Sequence, residues 1–414
     1  MTEQLDLVVR NAYLQSRDEV RDIGIGGGRI ERIASEIEGT AREAVDADGN
    51  LVSPGFVDAH VHFDQALSRS GERKPTDNES AFDKERSLTL AREHFGSTSR
   101  ETIEETALEV GRKAVTNGVL HARTHAYADP DVGTKAVDAT LAAREQLADL
   151  LDLQVVAFPQ QGILEDGTER VLRESVEAGA DLLGGLDPAS HNEDMTRTLD
   201  AWFDLATDLD VDLDVHLHDG GTLGLYTFDR LLAWIHRYGY EGRVTASHSF
   251  ALADAAGAGS DEWVPGGSFE ALIERFDEAG LGFATCYLST KPEMPVKRLQ
   301  DDGVVLGHGS DQVRDMWSTH GNIDPLEEAL IQSLQLTTDD FTTNENLDRI
   351  WELLTRGGAE LLDIEDDYGI VTGTPADLVV HDSLSRQWAI VEGNQPRVVI
   401  KDGTVVARDG ELVA

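Results

Sequence analysis

An α/β fold built on a closed (β/α)8 barrel, with a small β-sandwich assembled from both chain ends, is the architecture the sequence predicts. Three observations predict it. Eight short apolar runs alternate with amphipathic stretches, short alternating strands precede them, and strand-and-turn character returns after them. With 414 residues the chain is long enough for two or three domains, or for one large barrel with a satellite.

Taken in order, residues 1–54 are expected to start the sandwich. Leu5–Val9, Asp22–Ile25 and Arg29–Ile33 alternate as short strands, separated by Gly26-Gly27-Gly28 and polar turns. Residues 55–365 read as the barrel. Its strands fall at Gly55–His60, Val119–Thr124, Leu153–Phe158, Leu182–Leu186, Leu213–His216, Val244–Ser247, Gly282–Thr285 and Val304–Gly307. One outer helix is explicit: Thr98 with Glu101 forms a capping box, Ile103, Ala107, Val110 and Ala114 recur at helical spacing, and Gly118 supplies the stop. Residues 366–414 complete the sandwich through Asp377–His381, Trp388–Val391, Val398–Lys401 and Thr404–Ala407. Neither end is long enough to bury a sheet by itself, so the two are expected to join.

Composition narrows the partners. With 78 acidic and 35 basic residues the formal charge is −43, which argues against nucleic acid or an anionic membrane surface, since binding phosphate needs clustered cations. A 40% hydrophobic content is too high for a disordered acidic chain. Lysine supplies only seven of the 35 basic residues, an acidic and lysine-poor balance suited to a salt-accumulating (halophilic) cytosol, where molar salt shortens screening to about 3 Å. The start MTEQLDLVVRNAYLQ lacks a basic-then-apolar leader, and no apolar run reaches about 18 residues, so a soluble cytoplasmic protein is expected. Cys286, the single cysteine, has no internal disulfide partner. Self-association is left open.

His60 and His62 end the first barrel strand in SPGFVDAHVHFD, and residues two apart on a strand point to one face. Alone, such a pair is equally two surface histidines. His216 ends the fifth run, His248 the sixth, and Asp311 follows the eighth. Catalytic groups in barrels sit at these strand ends, and three histidines with a carboxylate make a shell for Zn²⁺ or Fe²⁺ with a position open for water.

On SPGFVDAHVHFD, HARTHA, VVAFPQQGIL, DVHLHD, RVTASHS and GHGSDQVRDMW, almost the whole chain resembles the amidohydrolase superfamily, its cytosine deaminase branch in particular. That resemblance implies a metal-dependent TIM barrel with a two-part sandwich. It implies His60, His62, His216 and Asp311 as metal ligands, Asp311 also accepting a proton from the bound water, and His248 polarising that water and the tetrahedral centre. Gln160 would hydrogen-bond the amide edge of a ring substrate, and Trp317 would be an apolar wall or a packed core residue. Arg123 and His125 are placed near the mouth, stabilising the strand end.

Two positions depart from the family pattern. Its His-x-x-Glu reads His216-Leu217-His218-Asp219 here, so the glutamate's proton shuttling falls to Asp219, one methylene shorter, or to His218. Tyr127 stands where an acid is usual. The fourth strand end, LLGGLDP, has no lysine to bridge two metals, which implies a single ion. The expected reaction is attack of a metal-bound hydroxide on a nitrogen heterocycle, a cytosine-like aminopyrimidine or an aminotriazine, releasing ammonia or an amine. An amidase acting on a cyclic or linear amide is the alternative, and a non-catalytic structural protein a remote one.

Overall fold

The computed structural model describes residues 4–39, 41–68, 84–257, 263–286, 294–335 and 343–413. Five strands come first: β1 (Leu7–Leu14), β2 (Glu19–Gly26), β3 (Arg29–Ala34), β4 (Glu43–Asp46) and β5 (Val52–Pro54). Eight follow with helices between them: β6 (Phe56–Val61), β7 (Val119–Tyr127), β8 (Asp152–Phe158), β9 (Leu182–Leu186), β10 (Asp212–Leu217), β11 (Val244–His248), β12 (Gly282–Cys286) and β13 (Leu306–Gly309). The last four are β14 (Leu378–Val380), β15 (Val398–Lys401), β16 (Thr404–Arg408) and β17 (Glu411–Leu412).

Strands β6 to β13 lie side by side in chain order, each parallel to the next. The sheet closes on itself just past β13: Asp311 N donates to His60 O at 2.7 Å, and His62 N donates to Asp311 O at 3.1 Å. Closure demands small residues. A Cβ at Gly309 would lie 2.6 Å from His60 Cβ, and one at Gly307 would lie 2.9 Å from Ala59 Cβ. All eight predicted runs fall on these strands. The last is displaced by two residues, because its outer half reads Gly-His-Gly and carries no apolar signature.

The helix Arg100–Thr116 shows how the outer layer is held. Ile103, Ala107, Val110 and Ala114 are buried, as their spacing predicts, and Glu105, Glu109 and Arg112 face solvent. Its cap is Ser99, whose hydroxyl accepts from Thr102 N at 3.2 Å, one residue later than the predicted Thr98. Such a cap is worth about 1 kcal/mol. The connection from Asp64 to Asn117 holds this helix and another, Lys84–Ser97; its residues 69–83 lie outside the described ones.

Both chain ends build the sandwich. One sheet has the order β3-β2-β1-β4, the other β17-β16-β15-β14-β5, so β5 from the N-terminal end pairs with C-terminal β14. Leu7, Ile23, Ile25, Leu378, Val380 and Ile400 share one buried cluster between them. One expectation fails here: Trp388–Val391 is not a strand but part of the helix Arg386–Glu392. Ser385 caps it by accepting from Trp388 N, and Gly393 ends it in a left-handed conformation at φ 60°. A four-residue apolar run flanked by such caps has no period of its own to separate strand from helix.

The sandwich is fastened to the barrel floor by charge. Lys401 of β15 puts its ammonium 2.9 Å from both Asp152 of β8 and Asp377, and His121 of β7 lies 3.2 Å and 3.3 Å from the same two carboxylates. Lys401, Asp377 and His121 are all buried.

Candidate active site

At the opposite end of the barrel the strand tips deliver a cluster of imidazoles. His60, His62, His216, His248 and Asp311 are each less than a tenth exposed. Asp311 Oδ1 lies 3.6 Å from His60 Nε2 and 3.5 Å from His62 Nε2, while His62 Nε2 and His216 Nε2 face each other at 3.3 Å. His60, His216 and His248 form a second ligand-capable triad that shares His60 with the first. The backbone is bent to make this possible: His248 and Asp311 hold φ of 64° and 58°. Left-handed backbone at a non-glycine residue costs about 1–2 kcal/mol, a strain that the surrounding packing must offset.

The electrostatics favour neutral ligands. Burial pushes the imidazole pKa of His60 down to about 3 and that of His62 down to about 4, and it lowers those of His216 and His248 as well. Both ring nitrogens of His60, Nδ1 of His216 and Nε2 of His248 have no hydrogen-bond partner among the described residues. Buried polar atoms without partners cost about 1–3 kcal/mol each. Three neutral imidazoles and a carboxylate with unused lone pairs are a donor set that fits a divalent metal ion.

The other residues singled out in the sequence divide. His218 joins the cluster: its ring lies 4.2 Å from that of His248, and its side chain is 32% exposed. Asp219 does not join it, and its Oδ2 instead accepts from Ser190 N at 3.3 Å. Gln160 is buried beside Phe158, whose carbonyl accepts from Gln160 N at 3.1 Å. Trp317 is half-buried and packs with Phe95, Tyr127 and Met316 in a satellite cluster. Tyr127 belongs to that cluster too, stacked on Phe95 at 4.3 Å.

Arg123 and His125 lie deeper than expected. Both point into the barrel beneath the histidines, where Arg123 donates to Asp214 at 3.0 Å and to Leu361 O at 2.9 Å. His125 is fully buried, 4.2 Å from the His60 ring and 3.6 Å from Asp214 Oδ1. The strand period explains this, since Arg123 and His125, like Asp214 and His216, alternate onto the inner face in successive layers.

Three residues near the cluster escaped the sequence reading. Phe158 lies flat on His216 at 4.2 Å, and Asp214 sits one layer below it. Asp187, directly after β9, accepts from His218 N at 2.6 Å and lies 3.0 Å from His218 Nδ1. The signal for both aspartates was available. Asp214 is two residues before a strand-tip histidine, and Asp187 occupies the strand end searched only for a lysine.

A barrel of eight parallel strands with a histidine and carboxylate centre at its C-terminal mouth, joined to a sandwich from both ends, defines a class of metal-dependent hydrolases. Residues 51–406 match the amidohydrolase family, and the chain belongs to it. It is a hydrolase acting on carbon–nitrogen bonds other than peptide bonds. Among curated proteins it is 42% identical to N-isopropylammelide isopropyl amidohydrolase of Pseudomonas sp. (strain ADP), covering 100% of both chains. Among solved structures it is similar to N-isopropylammelide isopropylaminohydrolase from Burkholderia multivorans ATCC 17616, with a TM-score of 0.89, 30% identity and coverage of 98% and 99% of the two chains. It also resembles 5-methylcytosine deaminase from Klebsiella pneumoniae, liganded with 5-fluorocytosine, with a TM-score of 0.85, 25% identity and 97% of each chain covered. No helix among the described residues is long and apolar enough to cross a membrane.

Proposed function

We propose that this amidohydrolase cleaves the bond between an exocyclic amine and a ring carbon of a nitrogen heterocycle, and that its substrate is an N-alkylated aminotriazine of the ammelide type. The observation that carries this reading is the set of buried, partnerless imidazole nitrogens around Asp311 at the barrel mouth. The full-length similarity to proteins named for N-isopropylammelide supports the triazine ring over a cytosine-like one.

His60, His62, His216 and Asp311 would hold one divalent ion, Zn²⁺ or Fe²⁺; the fourth strand end offers Asp187 and no lysine for a second. When bound, such an ion supplies Lewis acidity and a water acidic enough to attack near neutral pH. Asp311 takes the proton of the attacking water, and His248 stabilises the charge that develops around the tetrahedral centre. A side chain of the His218–Asp219 pair moves a proton to the departing nitrogen, which leaves as an amine. Gln160 meets the amide edge of the ring with a group that both donates and accepts.

Metal analysis of the purified protein, followed by amine and ammonia release from N-isopropylammelide, ammelide, cytosine and 5-methylcytosine, tests this. We expect about one metal per chain and isopropylamine as the fastest-formed product. Ring or chain amides turned into carboxylates, with no amine released from any heterocycle, would replace this reading with an amidase.

A further inference from the structure

We propose that Asp187 is a positioning residue that fixes the tautomer and aim of His218, and that His218 rather than Asp219 thereby meets the departing amine. The inference rests on the heterocycle reading above for its substrate, but its first test does not.

Asp187 is fully buried, and its carboxylate engages the segment 218–219. Oδ1 accepts from His218 N at 2.6 Å and from Asp219 N at 3.3 Å, and Oδ2 lies 3.0 Å from His218 Nδ1. The residue is held in place in turn: its own N–H donates to His216 O at 3.0 Å, and His191 N and Asn192 N donate to its carbonyl. Its φ of 25° lies outside the regions L-residues favour, a strain tolerated where surrounding contacts over-determine the backbone.

A carboxylate only accepts, so the proton on His218 sits at Nδ1 and the lone pair at Nε2, free to take the hydroxyl proton of the tetrahedral adduct and pass it to the departing nitrogen as the C–N bond breaks. The ring is tilted 30° to that of His248 with centroids 4.2 Å apart, and it is partly open to solvent, where a substrate amine can reach it. Asp219 is partly exposed as well, but its carboxylate turns to the Ser190 amide and makes no hydrogen bond to the histidines among the described residues. A buried carboxylate that holds an imidazole in one tautomer, so that the other nitrogen works on a substrate, is the division of labour found in the serine-protease triad. Here it stands where the family's glutamate is missing: two side chains, from β9 and β10, do the work of one longer acid.

The first test needs no substrate. In ¹⁵N-histidine-labelled protein loaded with Zn²⁺, His218 should appear as the Nδ1–H tautomer, and Asp187→Asn should abolish that signature; an Nε2–H tautomer in the wild type overturns the proposal. The second is kinetic, on N-isopropylammelide. Asp187→Asn and His218→Gln should each lower kcat by roughly a hundredfold or more, with KM and metal content little changed, and the double variant should lose no more than either alone. Asp219→Asn should lose less than about fivefold, because only an amide hydrogen bond is weakened. An Asp219→Asn loss as large as that of His218→Gln, or an Asp187→Asn loss that tracks missing metal, overturns the assignment. If the wild type turns over no heterocycle, the function reading fails while the tautomer measurement still decides the role of Asp187.

Discussion

The barrel gathers histidines and aspartates at both ends, and the two clusters differ in what fills them. At the mouth, His60, His62 and Asp311 bring ligand atoms together, and both nitrogens of His60 have no hydrogen-bond partner among the described residues. At the floor, His121, Asp152 and Asp377 are equally able by spacing to hold an ion. There, however, the Lys401 ammonium already stands 2.9 Å from both carboxylates. The mouth keeps its histidines neutral and its lone pairs unused; the floor carries paired charges and joins β14 and β15 to β7 and β8. Proximity of acids and imidazoles therefore does not identify a metal centre in this fold. What separates the two is whether the chain supplies its own cation.

The largest effect expected from this contrast is at the mouth. His60→Ala removes a ligand shared by both donor triads, so metal should be lost and amine release should fall by roughly a thousandfold or more. Compared metal-free, thermal stability should not fall with it, because the substitution also removes two buried atoms that have no hydrogen-bond partner among the described residues. Metal titration alongside thermal unfolding checks the pair of readouts; a variant that kept its metal but unfolded early would make His60 structural, like the floor.

At the floor the pattern should reverse. Lys401→Met leaves the buried Asp377 carboxylate without its cation, which should cost about 3 kcal/mol of stability while metal content and kcat stay close to wild type. Denaturant unfolding with metal analysis reads both, and a loss of metal without a loss of stability would exchange the roles of the two clusters.

The floor should also be the pH-sensitive fastening. For Asp152, burial pulls the carboxyl upward, but His121 and Lys401 outweigh it and hold its pKa down to about 2; Asp377 is lowered by the same partners. For His121, burial favours the neutral ring, yet Asp152 and Asp377 raise its pKa above the ordinary 6.5. The lowered carboxylates contribute stability above their ordinary value of 3.8 and lose it as pH falls towards about 2. The raised imidazole contributes below 6.5 and loses its share as pH rises through its folded value. The fastening is therefore complete between those limits. Asp152 is more than half exposed, so solvent screens its part, and the alkaline side, set by buried His121, is the cleaner test. The stability advantage of wild type over His121→Gln should shrink from pH 6 to pH 9, and a difference that stays flat over that range would remove the imidazole from the fastening.

Much of the barrel was legible because its strands are short and apolar, and because four ligand candidates stand at their tips in chain order. What stayed illegible shares one cause: its meaning depends on neighbours far away in sequence. His121 and His60 both sit on barrel strands, and only the arrival of Lys401, 280 positions beyond His121, tells floor from mouth. The Trp388–Val391 helix was misread because four apolar residues carry no period, and Asp187 was passed over because a strand end was judged by the lysine it lacked. Between Asp219 and His218 the sequence leaves the choice open, because strand alternation turns His218 towards His216 but only the folded chain shows its ring beside His248 and its Nδ1 beside Asp187.

The smallest effect sharpens the comparison within the mouth itself, at two neighbouring glutamines. Gln161 is engaged by the protein: its Nε2 donates to the Tyr127 hydroxyl at 3.2 Å, and its N–H lies 3.1 Å from both oxygens of Asp129. Gln160 makes no side-chain hydrogen bond among the described residues, and it is buried beside Phe158, the ring that lies on His216. The side chain that the protein itself engages is structural, and the one it leaves unengaged is available to a ligand. Losing one neutral hydrogen bond costs about 1 kcal/mol, so Gln160→Ala should lower kcat/KM on N-isopropylammelide by about fivefold, mostly through KM. Gln161→Ala should leave kcat/KM within about twofold and appear instead as a lower Tm. Steady-state kinetics and thermal unfolding of the two variants decide it, and if both lowered only the Tm, the unengaged carboxamide would no longer mark where the ring's amide edge binds.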